Sequence, residues 1–283
     1  MLLWQRPTRR TLSGWFAEET DPGFRLPASA WRLTYSDCKH DIEEPTEMTV
    51  QILKRDTRWL VFDQYGTVVD MQGGLVEAVT PFLSEKGWNG KPNSFVTWWR
   101  RTHFENSMID ALMDQGHTSY RTIGHRAVAH VMNRAGIEHT QDEVQWLVSQ
   151  IETLKPFPDV IKALQELRDG GYKLAILSNG DRDMLETAKQ HIGFEMDETI
   201  SVQEVGYFKP HRSTYASAEE IIGVERQRIL FVASHEFDCV GAKTFGMRSA
   251  FINRHKRPFG AWPAQPDLIV SSFKELAAEM RGR

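Results

Sequence analysis

Cysteine is scarce in this chain of 283 residues: there are two, Cys38 and Cys239, too far apart in sequence to suggest a disulfide framework or a zinc-ligand spacing. Long apolar runs are missing as well, since nothing approaches the roughly 18 residues that a membrane-spanning helix needs. Charge of one sign is not in excess: 34 basic against 38 acidic side chains give a net charge of −4, with Lys and Arg scattered. That distribution excludes the concentrated basic face of a nucleic-acid binder. Low-complexity tracts and internal repeats are absent too. The early arginines Arg6, Arg9 and Arg10 precede Thr11, Ser13, Glu18, Glu19 and Asp21, which interrupt any signal-peptide core. A cytoplasmic globular protein that meets a small or anionic ligand in a local pocket is the expectation.

What is present is patterned from about residue 58 onward. Trp59-Leu60-Val61-Phe62 is a short continuous apolar run, the signature of a strand buried on both faces. Tyr172–Leu177, Thr199–Val202, Ile229–Ala233, Ser249–Ile252 and Leu268–Val270 read as further strands. Helical faces lie between them, at Val160, Ala163, Leu164 and Leu167 and at Tyr215, Ala218 and Ile222, and Ser272 with Glu275 makes a capping box. Alternating strands and helices predict an α/β fold with a doubly wound parallel sheet, whose ligands sit beyond the carboxyl ends of the strands.

Residues 74–157 show helical spacing only, at Leu75, Val79, Phe82 and Leu83 and again at Val144, Leu147, Val148, Ile151 and Leu154. They predict an all-helical cap inserted into a core made of 48–73 and 158–283. Residues 1–47, rich in Pro and without sustained periodicity, are expected to be an extension outside the core. Two readings stand open for it: a partner- or dimer-contacting arm, or a gene-model artefact preceding a start at Met48.

Chemistry concentrates at strand ends. Asp63 closes the first strand and is followed by Gln64-Tyr65-Gly66-Thr67; Ser178-Asn179-Gly180, Lys209-Pro210 and Ser234-His235-Glu236-Phe237-Asp238 follow in later loops. An isolated aspartate at such a place would be an ordinary cap. The set Phe62-Asp63-x-Tyr65-Gly66-Thr67, Leu177-Ser178-Asn179-Gly180, Phe208-Lys209-Pro210 and Phe231-Val232 with Asp238, in that order, resembles the haloacid dehalogenase superfamily across roughly residues 58–283.

That resemblance implies a Rossmann-like core and an aspartate nucleophile at Asp63. Most members are phosphatases, which carry a second aspartate two residues beyond the nucleophile as general acid and magnesium partner. Here that position is Tyr65, which cannot protonate a leaving alkoxide as a carboxylic acid does. The pattern looks instead like the 2-haloacid dehalogenase branch, which needs no metal or other cofactor. The substrate this implies is a small halogenated carboxylic acid, the product a halide ion, and a homodimer is compatible with it.

Carried over by resemblance, Thr67 orients Asp63 and Lys209 keeps it ionised. Ser178 binds the substrate carboxylate, Arg100 and Asn179 form the halide pocket, and Tyr65 and Tyr215 wall the cavity, with Tyr215 also hydrogen-bonding near Asp63. Arg101 beside Arg100 is easily confused with it. His235 stands where many members have asparagine, and is expected to activate water together with Glu77, fourteen residues beyond Asp63; Asp238 is the alternative base. The competing expectations are a metal-dependent phosphatase on the same scaffold and a catalytically idle interaction module.

Overall fold

The structure is a computed structural model that describes residues 47–282. The readings for residues 1–46 therefore lie outside the described residues. The described chain opens on a helix, α1 (Glu47–Asp56), which buries Val50 and Leu53, one turn apart. Only two of its four apolar side chains are buried and the four keep no single helical period, so the sequence pattern does not announce it, and the expected boundary after residue 47 falls inside it.

Six strands make one parallel sheet: β1 (Trp59–Phe62), β2 (Lys173–Ser178), β3 (Glu198–Ser201), β4 (Ile229–Ala233), β5 (Arg248–Ile252) and β6 (Leu268–Val270). Their spatial order is β3-β2-β1-β4-β5-β6. β1 lies between β2 and β4, with Phe62 paired to Ile176 on one side and Val232 on the other. Leu60, Val61 and Phe62 are fully buried, as a strand covered on both faces requires. This is the expected doubly wound sheet.

The connecting helices are α6 (Val160–Asp169), α7 (Arg182–Ile192), α8 (Arg212–Ile222), α9 (Glu236–Phe245) and α10 (Phe273–Met280). Strand order extends one way from β1 to β3 and then restarts at β4 on the other side. Right-handed crossovers then send the helices to opposite faces and open a crevice beyond the carboxyl end of β1.

Between β1 and β2 the chain makes one long excursion through α2 (Met71–Glu85), α3 (Pro92–Met113), α4 (Tyr120–Arg134) and α5 (Gln141–Ser149). It leaves and returns at one place: Asp70 N–H donates to the Lys155 carbonyl at 3.0 Å and Phe157 N–H to the Val68 carbonyl at 3.1 Å. Asp181, at the head of α7, accepts the backbone N–H groups of Tyr120 at 2.8 Å and Arg121 at 3.0 Å, joining the start of α4 to the sheet. These backbone ties hold the helical excursion over the crevice. No described helix is long and apolar enough to cross a membrane.

Candidate active site

Asp63 is the first residue past β1, its N–H held by the Val232 carbonyl at 3.0 Å. Its carboxylate is nearly buried, and both oxygens are engaged. Lys209 Nζ donates to Oδ1 at 2.8 Å, and the Thr67 hydroxyl donates to Oδ2 at 2.7 Å. Thr67 is fixed in turn, because its oxygen accepts the Ser234 N–H at 2.9 Å from the loop after β4. His235 Nδ1 lies 3.3 Å from Oδ2. Burial pushes the Asp63 carboxyl up, but the Lys209 charge and the His235 contact outweigh it and hold it below the usual carboxylate range.

Lys209 is fully buried, and its three ammonium protons find three acceptors. Besides Asp63 these are Asp238 Oδ2 at 2.6 Å and the Leu177 carbonyl at 3.0 Å. Burial disfavours the ammonium, yet the two carboxylates prevail and raise its pKa, so it stays charged. Asp238 differs from Asp63: Tyr215 donates to its Oδ1 at 2.6 Å and Lys209 covers Oδ2. Its burial, with Asp63 competing for the same lysine, raises its pKa. Two acids share one cation, and the site makes Asp63 the stronger acid of the two.

A cavity of about 340 Å³ opens in front of Asp63. Of the expected residues it gathers Asp63, Tyr65, Arg100, Asn179, Lys209 and His235. Gly66, at φ +85°, lets the backbone pass under this group: a Cβ there would stand 3.0 Å from His235 Cε1 and 3.1 Å from Arg100 Nη2. Asn179 spends its amide oxygen on the Lys209 N–H at 2.9 Å, which leaves its NH₂ as the free end.

Arg100 projects from α3, and Nη1 donates to Gln72 Oε1 at 2.8 Å. Its Nε–H is buried without an acceptor, and no carboxylate pairs with the guanidinium among the described residues. Burial lowers its pKa, the mark of a cation lacking a counter-ion. Arg101 also reaches the rim, but it is exposed and paired with Glu105 at 2.7 Å.

Four expected placements are not what the structure shows. Glu77 is exposed on α2, away from the cavity and from His235. At about 100° per residue it is turned some 140° from Gln72, the α2 side chain that does reach the site. Tyr215 is fully buried behind the site and serves Asp238 instead of lining the cavity. Ser178 is likewise fully buried, its oxygen accepting the Gly180 N–H at 3.2 Å, and it is not on the cavity wall. Asp238 has both oxygens occupied and no face on the cavity, whereas the His235 ring lies on the cavity wall.

The walls that sequence reading missed include Gln72, Phe104, Ser107, Tyr120 and Phe237. Phe237 lies in the first turn of α9, inside the Ser234–Asp238 motif, and was within reach of it. The others come from the helical excursion, where no fixed spacing marks them.

Comparison with known proteins shows the family. Residues 57–246 match the haloacid dehalogenase-like hydrolase family, and the chain belongs to it. Haloacetate dehalogenase H-2 of Moraxella sp. (strain B) is 33% identical over 213 residues, 75% of this chain and 92% of that protein. An (S)-2-haloacid dehalogenase of Xanthobacter autotrophicus is 34% identical over 197 residues, 69% of this chain and 74% of that protein. The structure of L-2-haloacid dehalogenase from Xanthobacter autotrophicus superimposes with a TM-score of 0.73 at 29% identity, covering 80% of this chain and 99% of that one.

Proposed function

We propose that the protein is a hydrolytic dehalogenase of short 2-haloalkanoic acids, working through an ester on Asp63 and without a metal. The observation that carries this reading is Arg100: a largely buried guanidinium with an unpaired N–H, opening onto the same cavity as an ionised carboxylate. Asp63 attacks the halogen-bearing carbon, the C–O bond forms as the carbon–halogen bond breaks, and the bonding pair leaves as halide toward Arg100 and the Asn179 NH₂. Water then adds to the Asp63 carbonyl carbon with His235 as base, releasing a 2-hydroxy acid and restoring the carboxylate. Residues 74–157 serve as the cap that supplies Arg100 and keeps solvent from the reacting atoms, over a core of 48–73 and 158–283.

The donor set does not suit a magnesium-dependent phosphatase. Tyr65 stands where that chemistry needs a second acid, Lys209 already occupies one oxygen of Asp63 and one of Asp238, and no group of three or more metal-ligating side chains occurs among the described residues. The names of the relatives, haloacetate dehalogenase and (S)-2-haloacid dehalogenase, support the same substrate class.

The test sets halide release from chloroacetate beside phosphate release from a generic phosphomonoester, each with and without EDTA. Chloride release that persists under EDTA, with negligible phosphate release, is expected. Phosphate release that EDTA abolishes and Mg²⁺ restores would replace this reading with the phosphatase.

A further inference from the structure

Tyr120 begins α4, and its ring has little freedom. Ser119 caps the helix by accepting the Thr122 N–H, and Asp181 holds the Tyr120 N–H from the core at 2.8 Å. The Tyr120 carbonyl meets His103 Nε2 at 3.1 Å, and the two rings lie 4.0 Å apart. Burial pushes the His103 imidazole down to about 3, so the ring is neutral and its Nε2–H is the donor to that carbonyl. On another side Tyr120 stacks on Tyr65, with centroids 5.4 Å apart and planes within 3°.

The hydroxyl contrasts with the ring that carries it. It has no hydrogen-bond partner among the described residues, although Tyr120 is only 7% exposed and lines the cavity beside Asp63 and Arg100. A phenol that faces a cavity and has no protein partner keeps its O–H free for what enters that cavity. The Tyr65 hydroxyl is also unpartnered, but it is sealed from solvent, 2.6 Å from where a Gly180 Cβ would stand. That leaves Tyr120 as the phenol facing the substrate space. Burial and the Asp63 charge raise its pKa, so it keeps its proton.

We propose that the Tyr120 hydroxyl is a further hydrogen-bond donor to the departing halide, beside Arg100 and Asn179, and that it extends the leaving groups of this site to fluoride. The proposal rests on the dehalogenase reading above. In the displacement the Asp63 oxygen bonds to carbon, the carbon–halogen pair leaves as halide, and the phenol donates a hydrogen bond to the growing charge without transferring its proton. Fluoride carries the most concentrated charge of the halides and has the strongest bond to carbon, so its departure depends most on fixed donors. Bromide is diffuse and leaves more readily.

The experiment compares the unmodified enzyme with Tyr120→Phe on fluoroacetate, chloroacetate and bromoacetate, reading each halide by ion chromatography. The phenylalanine ring preserves the stacking on Tyr65. The unmodified enzyme is expected to release all three halides. The substitution is expected to lower kcat/KM by about 10²-fold for fluoroacetate, the loss from removing one preorganised donor, with a smaller loss for chloroacetate and the smallest for bromoacetate. Fluoride as a product inhibitor should weaken in the variant more than bromide does. An equal loss on all three substrates, or chloride release without fluoride release from the unmodified enzyme, overturns the proposal while the dehalogenase reading stands. The wild-type comparison holds even if the variant fails to fold. No halide from any substrate removes the reading beneath it.

Discussion

Arg100→Ala is expected to lower turnover of chloroacetate by about 10²-fold or more, and Arg101→Ala to lower it far less. The two arginines are neighbours on α3, and the helix separates them by about 100°. Arg100 is turned inward, anchored by Gln72 through one nitrogen and left with an unpaired buried N–H. Arg101 is exposed and spends its charge on Glu105. A halide forming in a cavity shielded from water has lost its hydration, and a preorganised guanidinium replaces it without reorganising during the step. An exposed arginine competes with solvent for the same role and gains little by comparison. Steady-state kinetics with released chloride as the readout decide this. Equal losses in the two variants, or a larger one at Arg101, would move the halide pocket to another part of α3.

His235→Ala is expected to permit one displacement and then stall. Asp63 should remain armed, because Lys209 and Thr67 still hold its two oxygens. The ester then lacks its base and accumulates, so that mass spectrometry of the peptide containing residue 63 finds the alkyl adduct while turnover falls by roughly 10² to 10⁴, the range of general-base catalysis. Asp238 is poorly placed to substitute, since Lys209 and Tyr215 occupy both its oxygens. Glu77→Gln is expected to behave much like the unmodified enzyme, given the exposure of Glu77 on α2. Normal turnover by His235→Ala with no trapped adduct would return the base to Asp238.

The parts of the site legible in the sequence are those that β-strands place. Asp63, Lys209, His235 and Asp238 sit at or just past carboxyl ends of buried strands and the loops between them, and strands as apolar as Leu60-Val61-Phe62 or Ile229–Ala233 announce their ends by where the apolar run stops. The helical excursion is different. Its amphipathic spacing shows that α2 and α5 bury one face, but not which side chains of the other faces turn toward the crevice. That depends on how α3 and α4 cross and on contacts such as Asp181 with the start of α4, which join residues about sixty apart in sequence. The resemblance, with an acid expected early in the cap, points to Glu77, whereas the α2 side chain that turns to the cavity is Gln72. The resemblance places Tyr215 and Ser178 at the cavity; their full burial puts them behind the residues that face it.

The central claim is that an oxygen of Asp63 enters the product, and a single turnover in ¹⁸O-water with enzyme in excess over 2-chloropropionate tests it most directly. In the covalent route the hydroxyl oxygen of the product comes from the Asp63 carboxylate, and solvent oxygen enters only when the ester is cleaved at its carbonyl. Unlabelled 2-hydroxypropionate, together with ¹⁸O in the peptide containing Asp63, is the expected result; labelled product from the first turnover with an unlabelled peptide would show that Asp63 directs water onto the substrate and forms no ester.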